Sequence, residues 1–184
     1  MSGKFGFTPR LIATFNNPSS GGAYTAGDNI ANSATGSAVV PMRFSVARES
    51  GRILGCQAVV TPASGNLVIT ALDFDLLLFR PVASIPFAAA GYPADNAAMA
   101  ISAAAKRELV ARFRFSASSW INTLGATSAG ITGDQEAIPY LRPVASFSVV
   151  GLTQELLGVV QALSAWTPGA VINRFDFALD MDYD

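Results

Sequence analysis

Asp73 and Asp75 are the residues of this chain whose type and spacing come nearest to chemistry. On a β-strand an i, i+2 pair shares one face at about 7 Å, a spacing at which two carboxylates can form a glycosidase dyad or co-ligate Ca²⁺. Simple alternation on the solvent face of an amphipathic strand produces the same pair, and that plainer reading carries more weight. Asp134-Gln135-Glu136 follows Thr132-Gly133 but lacks the glycine and the twelfth-position glutamate of an EF-hand loop. The single Cys56 sits in the apolar stretch Ile53-Leu54-Gly55-Cys56-Gln57-Ala58-Val59-Val60, so it reads as a buried, inert thiol with no disulfide partner. The chain contains no histidine, which removes Ser-His-Asp and Cys-His catalysis, histidine metal ligation and a histidine pH switch.

Nucleotide chemistry finds no support either. No glycine-rich phosphate loop or dinucleotide fingerprint follows any strand-like segment. Lys106, Arg107, Arg112 and Arg114 form a basic cluster, but alternation separates Arg112 and Arg114 from Phe113 and Phe115 and sends the rings to the core. A nucleic-acid platform needs cations and aromatics on one face, and the net charge is -1, so no nucleic-acid partner is expected. No apolar run reaches the roughly 18 residues of a membrane span, and the start lacks a signal-peptide core. The expectation is a soluble protein made in the cytoplasm, with no membrane partner, no cofactor and no metal, and not an enzyme.

The elements that position these residues are mostly strands. The chain has 184 residues, 51% hydrophobic and only 14% charged, enough for one domain with its own core. From residue 39 onward, short β-branched and aromatic segments alternate with Gly, Pro, Ser and Asn. Residues 39–46 and 52–60 flank a turn and read as a hairpin. In 67–80, Leu72, Phe74, Leu76 and Leu78 share one face with Asp73 and Asp75 opposite, the pattern of a half-buried strand. Residues 94–110 are the helical prospect, as two short turns capped by Asp95 and Ser102. Residues 110–115, 144–150 and 171–179 read as strands, and 156–165 suits either a helix or a strand, with strand preferred. Seven or eight strands with long connections point to an all-β, two-sheet β-sandwich, jelly-roll-like, with one or two short helices; a barrel is the alternative.

Residues 1–38 differ from this β-sandwich domain at 39–184. They are rich in Gly, Ser, Asn and Thr and read as an extended N-terminal arm. Phe5, Phe7, Leu11, Ile12 and Phe15 would be wasted apolar surface on a free tail, so they are expected to anchor the arm on a partner. Residues 94–101 and the 116–143 loop are further candidates for subunit contacts. Asp176, Asp180, Asp182 and Asp184 crowd one end of the chain while Lys4, Arg10, Arg43, Arg48 and Arg52 lie toward the other. The asymmetry suits head-to-tail contact between copies, although an exposed acidic tail is the default.

The tract Leu72-Asp73-Phe74-Asp75-Leu76-Leu77-Leu78-Phe79, followed by a proline-containing loop, Ala94-Asp95-Asn96-Ala97-Ala98 and a basic-aromatic strand, resembles a group of small tailed-bacteriophage virion proteins. Some of these are capsid cement or decoration proteins. The resemblance covers roughly 39–180 and leaves the arm outside. It implies a β-sandwich that coats the exterior of an icosahedral head, as a homotrimer, and clamps neighbouring capsomers of the major capsid protein. The alternatives are another virion component, such as a tail or head-fibre module, and a carbohydrate-binding β-sandwich using Asp73 and Asp75.

Overall fold

Alternation is the force that writes most of this structure. In β6 (Leu109–Phe115) Ala111, Phe113 and Phe115 are buried while Arg112 and Arg114 face outward, and in β11 (Asn173–Tyr183) Phe175, Phe177, Leu179 and Met181 do the same. Each such strand can hide its apolar side only against a second sheet. The computed structural model describes residues 9–17, 22–30, 40–62, 73–82, 95–99, 101–116, 118, 120–122, 135–137, 145–167 and 173–184. Within them lie eleven strands and one short helix.

The remaining elements are β1 (Arg10–Asn17), β2 (Asn29–Ile30), β3 (Met42–Ser45), β4 (Ser50–Pro62), β5 (Phe74–Phe79), α1 (Ala103–Lys106), β7 (Trp120–Asn122), β8 (Gln135–Ala137), β9 (Ala145–Ser148) and β10 (Glu155–Ala162). One sheet runs β1-β11-β4, and β4 then pairs β9 along one stretch and β8 along another, with β7 beyond β8. The other runs β10-β5-β6, with β2 and β3 sharing the far edge of β10. All pairings are antiparallel. Without the short β2, β7 and β8, the strands in chain order pair first with last, second with second-last, and so inward. That nesting is jelly-roll connectivity, so the expected all-β two-sheet sandwich is what the chain forms. The expectation of seven or eight strands misses these three short additions.

Three other expectations change. The 39–60 hairpin does not form: β3 pairs β10 while β4 pairs β11, so the chain crosses between sheets at residues 46–49. Among the described residues of the 94–110 prospect one helix forms, with Ser102 as its N-cap accepting the Ala105 N–H at 3.1 Å. Asp95 instead accepts from the Tyr24 hydroxyl, and residues 96–98 bridge backbone with residues 28–29. Finally, β5 is buried on both faces. Leu76 and Leu78 enter the main core, while Leu77 and Phe79 pack with Val159 under Met99 and Ile101 on the outside of the sheet. Met99 and Ile101, from the β5–β6 connection, thus cover part of the outer face, which is why a run such as Phe74–Phe79 is almost continuously apolar.

The segment expected to be an arm contributes β1 and β2 to the two sheets. β1 pairs β11 along its whole length, from Arg10 opposite Asp180 to Asn17 opposite Asn173. Its alternation puts Ala13 and Phe15 in the core, with the Phe15 ring stacked on Phe175 at 4.7 Å.

Candidate interaction surface

The functional candidates divide into groups consumed by the fold and groups left on its surface. Asp75 belongs to the first. It projects from the outer face of β5, fully buried, between the two outward arginines of β6. Arg112 lies 2.5 Å from Oδ2 and Arg114 3.3 Å from Oδ1. Two half-exposed guanidinium groups therefore neutralise one carboxylate and occupy its oxygens. That arrangement leaves Asp75 unsuited to act as nucleophile, proton donor or cation ligand, so the Asp73/Asp75 dyad is not assembled as an open pair. Asp73 is half-buried at the start of β5, and its carbonyl accepts the Leu163 N–H at 2.8 Å. Among the described residues no three carboxylate or thiol groups are grouped to hold a metal ion. Asp134 lies outside the described residues, and Gln135 and Glu136 belong to β8.

Cys56 is buried on the core side of β4, and burial pushes its thiol well above the ordinary range. It gets there through a β-bulge. Between Asp180 and Met181 the β4–β11 register slips by one residue, Leu54 is left over, and the inward parity changes from Gly51 and Ile53 to Cys56 and Ala58.

A polar knot that the sequence does not announce lies at the other end of the sandwich. The Tyr24 hydroxyl donates to Asp95 Oδ1 at 2.8 Å and accepts from the Asn17 amide at 2.7 Å, all three groups being buried. Its ring stacks on Trp166 at 5.2 Å. Burial, reinforced by the Asp95 and Asp28 charges, raises the hydroxyl far above its ordinary value, so it stays a neutral donor. Asp28 accepts the Thr25 backbone N–H at 2.6 Å and closes the turn that leads into β2. The knot ties β1, the loop before β2 and the β5–β6 connection to one another. Nothing in local spacing relates residues 17, 24 and 95.

Lys4 lies outside the described residues; among the rest, the charge asymmetry between the chain ends resolves within the molecule. β1, β11 and β4 lie side by side, so Arg10 meets Asp180 at 3.1 Å and also donates to Gln57 at 2.8 Å, while Arg52 meets Asp182 at 2.7 Å. Arg174 meets Asp176 at 2.8 Å, and Thr14 donates to the same carboxylate. Arg48 donates to the Asp184 carbonyl at 2.9 Å. The acidic end is thus part of a paired ladder across the outer face of this sheet, neither a loose tail nor an unpaired patch for a second copy.

Of the expected partner-binding residues, Phe5 and Phe7 lie outside the described residues. Phe15 is 5% exposed and anchors the chain's own core, so it has no surface to offer a partner. Leu11 is half-buried against the same core. Ile12 alone of the described ones stands outward, 66% exposed, opposite Ala178 and flanked by the Arg10–Asp180 and Thr14–Asp176 pairs. Val40, Leu109 and Val150 are the other exposed large apolar side chains among the described residues. Met99 and Ile101, in the segment considered for subunit contact, are spent on the molecule's own sheet. Most of the 116–143 loop lies outside the described residues.

Compared with known proteins, the chain matches no family model and no curated protein.

Proposed function

We propose that this protein is a virion structural component, a capsid cement or decoration protein that binds the exterior of an icosahedral phage head as a homotrimer and bridges neighbouring capsid subunits. The observation that carries the reading is the fate of its reactive groups. Asp75 is clamped by two arginines, Cys56 is sealed in the core and the Tyr24 hydroxyl is locked in a buried network, while exposed apolar groups such as Ile12 and Val150 remain on the surface. These features support a role through fitted surface. Jelly-roll connectivity is compatible with the reading because it recurs in viral capsid domains, but it also occurs in lectins, so that support is analogy of fold. The resemblance of the 72–98 tract to phage virion proteins supplies the particular assignment.

Physically, cementing is avidity. A patch of about 800 Å² per partner is a standard specific interface, and joining several through one oligomer raises retention by effective concentration without any new contact. The test adds the purified protein to expanded empty heads of the phage that encodes it. Co-sedimentation and a higher rupture temperature are expected. Protein left in the supernatant, with rupture unchanged, overturns the reading, and retention on a glycan array would then favour the carbohydrate-binding one.

A further inference from the structure

β1 is the edge of its sheet: among the described residues no strand hydrogen-bonds its outer side, although β3, at the edge of the other sheet, lies close to it. The direction of its free backbone groups follows from one hydrogen bond. Met181 N–H donates to the Pro9 carbonyl at 2.9 Å, so residues 9 and 181 are a hydrogen-bonded pair that continues the β1–β11 register. Hydrogen-bonded and non-hydrogen-bonded pairs alternate along an antiparallel ladder. Residues 11, 13, 15 and 17 therefore bond to β11, and Arg10, Ile12, Thr14 and Asn16 turn their N–H and C=O groups outward. Their side chains are the exposed ones.

Edges of this kind are normally guarded by prolines, lysines, bulges or brevity. The other edges of the sandwich show such guards. β2, β3, β7 and β9 are short, and β6 carries two outward arginines and a register slip that leaves Val110 unpaired. β1 has eight residues, no proline or lysine, and an unbroken register, and its one charge, Arg10, is already tied to Asp180.

The geometry points to a second copy of this chain as the occupant: two β1 strands pair antiparallel about a two-fold axis at Ala13, joining two jelly rolls through one continuous sheet. The sequence of the strand is self-complementary in that register. Ala13 meets Ala13 of the partner subunit, where small side chains suit the close approach. Leu11 faces Phe15 on the core side, covering a leucine that one copy leaves half-buried. On the outer side Ile12 faces Thr14 and Arg10 faces Asn16, so no like charges oppose and the exposed isoleucine gains a neighbour. Shifting the axis to Ile12 shortens the pairing to residues 10–14, and shifting it to Thr14 sets Leu11 against the buried polar Asn17. A shift that mixes odd and even residues would oppose core and solvent faces. The contact is isologous, as a two-fold requires. It is smaller than a standard interface and so is transient between isolated copies. On a lattice, or between trimers, the same edge links neighbours many times over. The inference rests on the strand edge alone and stands or falls independently of the capsid reading.

Disulfide trapping tests it. In antiparallel sheets the non-hydrogen-bonded pair has Cα atoms about 4.5 Å apart, within range of a disulfide. In a C56A background, A13C should give a linked dimer on a non-reducing gel at micromolar concentration in a glutathione buffer, at least tenfold more than L11C, which the register keeps away from its symmetry mate. Adding I12P, which removes an outward N–H that makes no ladder bond to β11, should abolish the dimer while the circular dichroism spectrum persists. Ala13 is a core position, so a mixture of I12C and T14C chains, both altered only at exposed sites, gives a second reading: a short thiol cross-linker should join unlike chains in preference to like ones. Equal trapping at residues 11 and 13, or no trapping in folded A13C together with no preference in the mixture, overturns the proposal.

Discussion

Phe15 and Ile12 are three residues apart and have opposite fates, which makes them the sharpest probe of how β1 is used. Phe15→Ala should cost about 3–5 kcal/mol, the usual loss for a buried aromatic ring, because the side chain stacks on Phe175 inside the core. Ile12→Ala should stay within about 0.5 kcal/mol, since exposed positions rarely do more. Urea melts of the two variants read the difference directly; equal, small effects would mean that the strand does not belong to the core. Asp75→Ala leaves two arginines without their shared carboxylate, and we expect a loss of about 1–3 kcal/mol, reduced because both guanidinium groups reach solvent and can rehydrate. Burial of Cys56 and Tyr24 also has a pH consequence. Both native groups titrate above their ordinary values of 9.0 and 10.0, so the unfolded chain releases its protons first. Stability from these groups is complete below pH 9.0 and falls as pH rises through 9.0 and then 10.0. Thermal melts between pH 8 and 11 should show that decline, and a Cys56→Ser, Tyr24→Phe double variant should flatten it.

At the scale of elements, two glycines permit close packing between neighbouring strands. A Cβ on Gly51 would sit 2.5 Å from the Asp182 carbonyl oxygen, and one on Gly158 would sit 2.9 Å from the Phe44 ring. Gly51→Ala meets backbone and should destabilise by about 1–3 kcal/mol, more than Gly158→Ala, where a ring edge can shift; guanidinium unfolding of both variants checks the order. The same elements show what local sequence can and cannot reveal. β6 and β11 were legible because their alternation is complete within each strand, whereas β10, a nearly unbroken apolar run, read as helix or strand alike. The expected β3–β4 hairpin failed because the turn at 46–49 carries the chain from one sheet to the other, and turn residues do not encode that choice. β5 looked half-buried because the cover over its outer face comes from Met99 and Ile101, non-local partners. β1 was hidden by the Gly/Ser/Asn tract that follows it, which lent its composition to a strand with clean alternation. Asp75 kept its expected face, yet its two partners come from the next strand, and the Tyr24–Asn17–Asp95 knot joins residues 17 and 24 to Asp95, 71 residues beyond Tyr24.

At the scale of the molecule, the jelly roll brings its first and last strands side by side, so the basic N-terminal and acidic C-terminal segments neutralise one another across β1, β11 and β4. Removing residues 1–15 therefore takes Ala13 and Phe15 out of the core along with the Arg10–Asp180 pair, and should unfold the body; a truncation ending before Arg10 should leave it folded. Circular dichroism of the two truncations separates a detachable arm from an integral strand. The central claim, that this protein works through fitted surface held in many copies on a shell, meets its most direct test in a cryo-EM reconstruction of particles produced by the genome that encodes it. The account predicts jelly-roll density seated on the outer capsid surface across junctions between capsid subunits. Particles of full composition that lack this chain would contradict it.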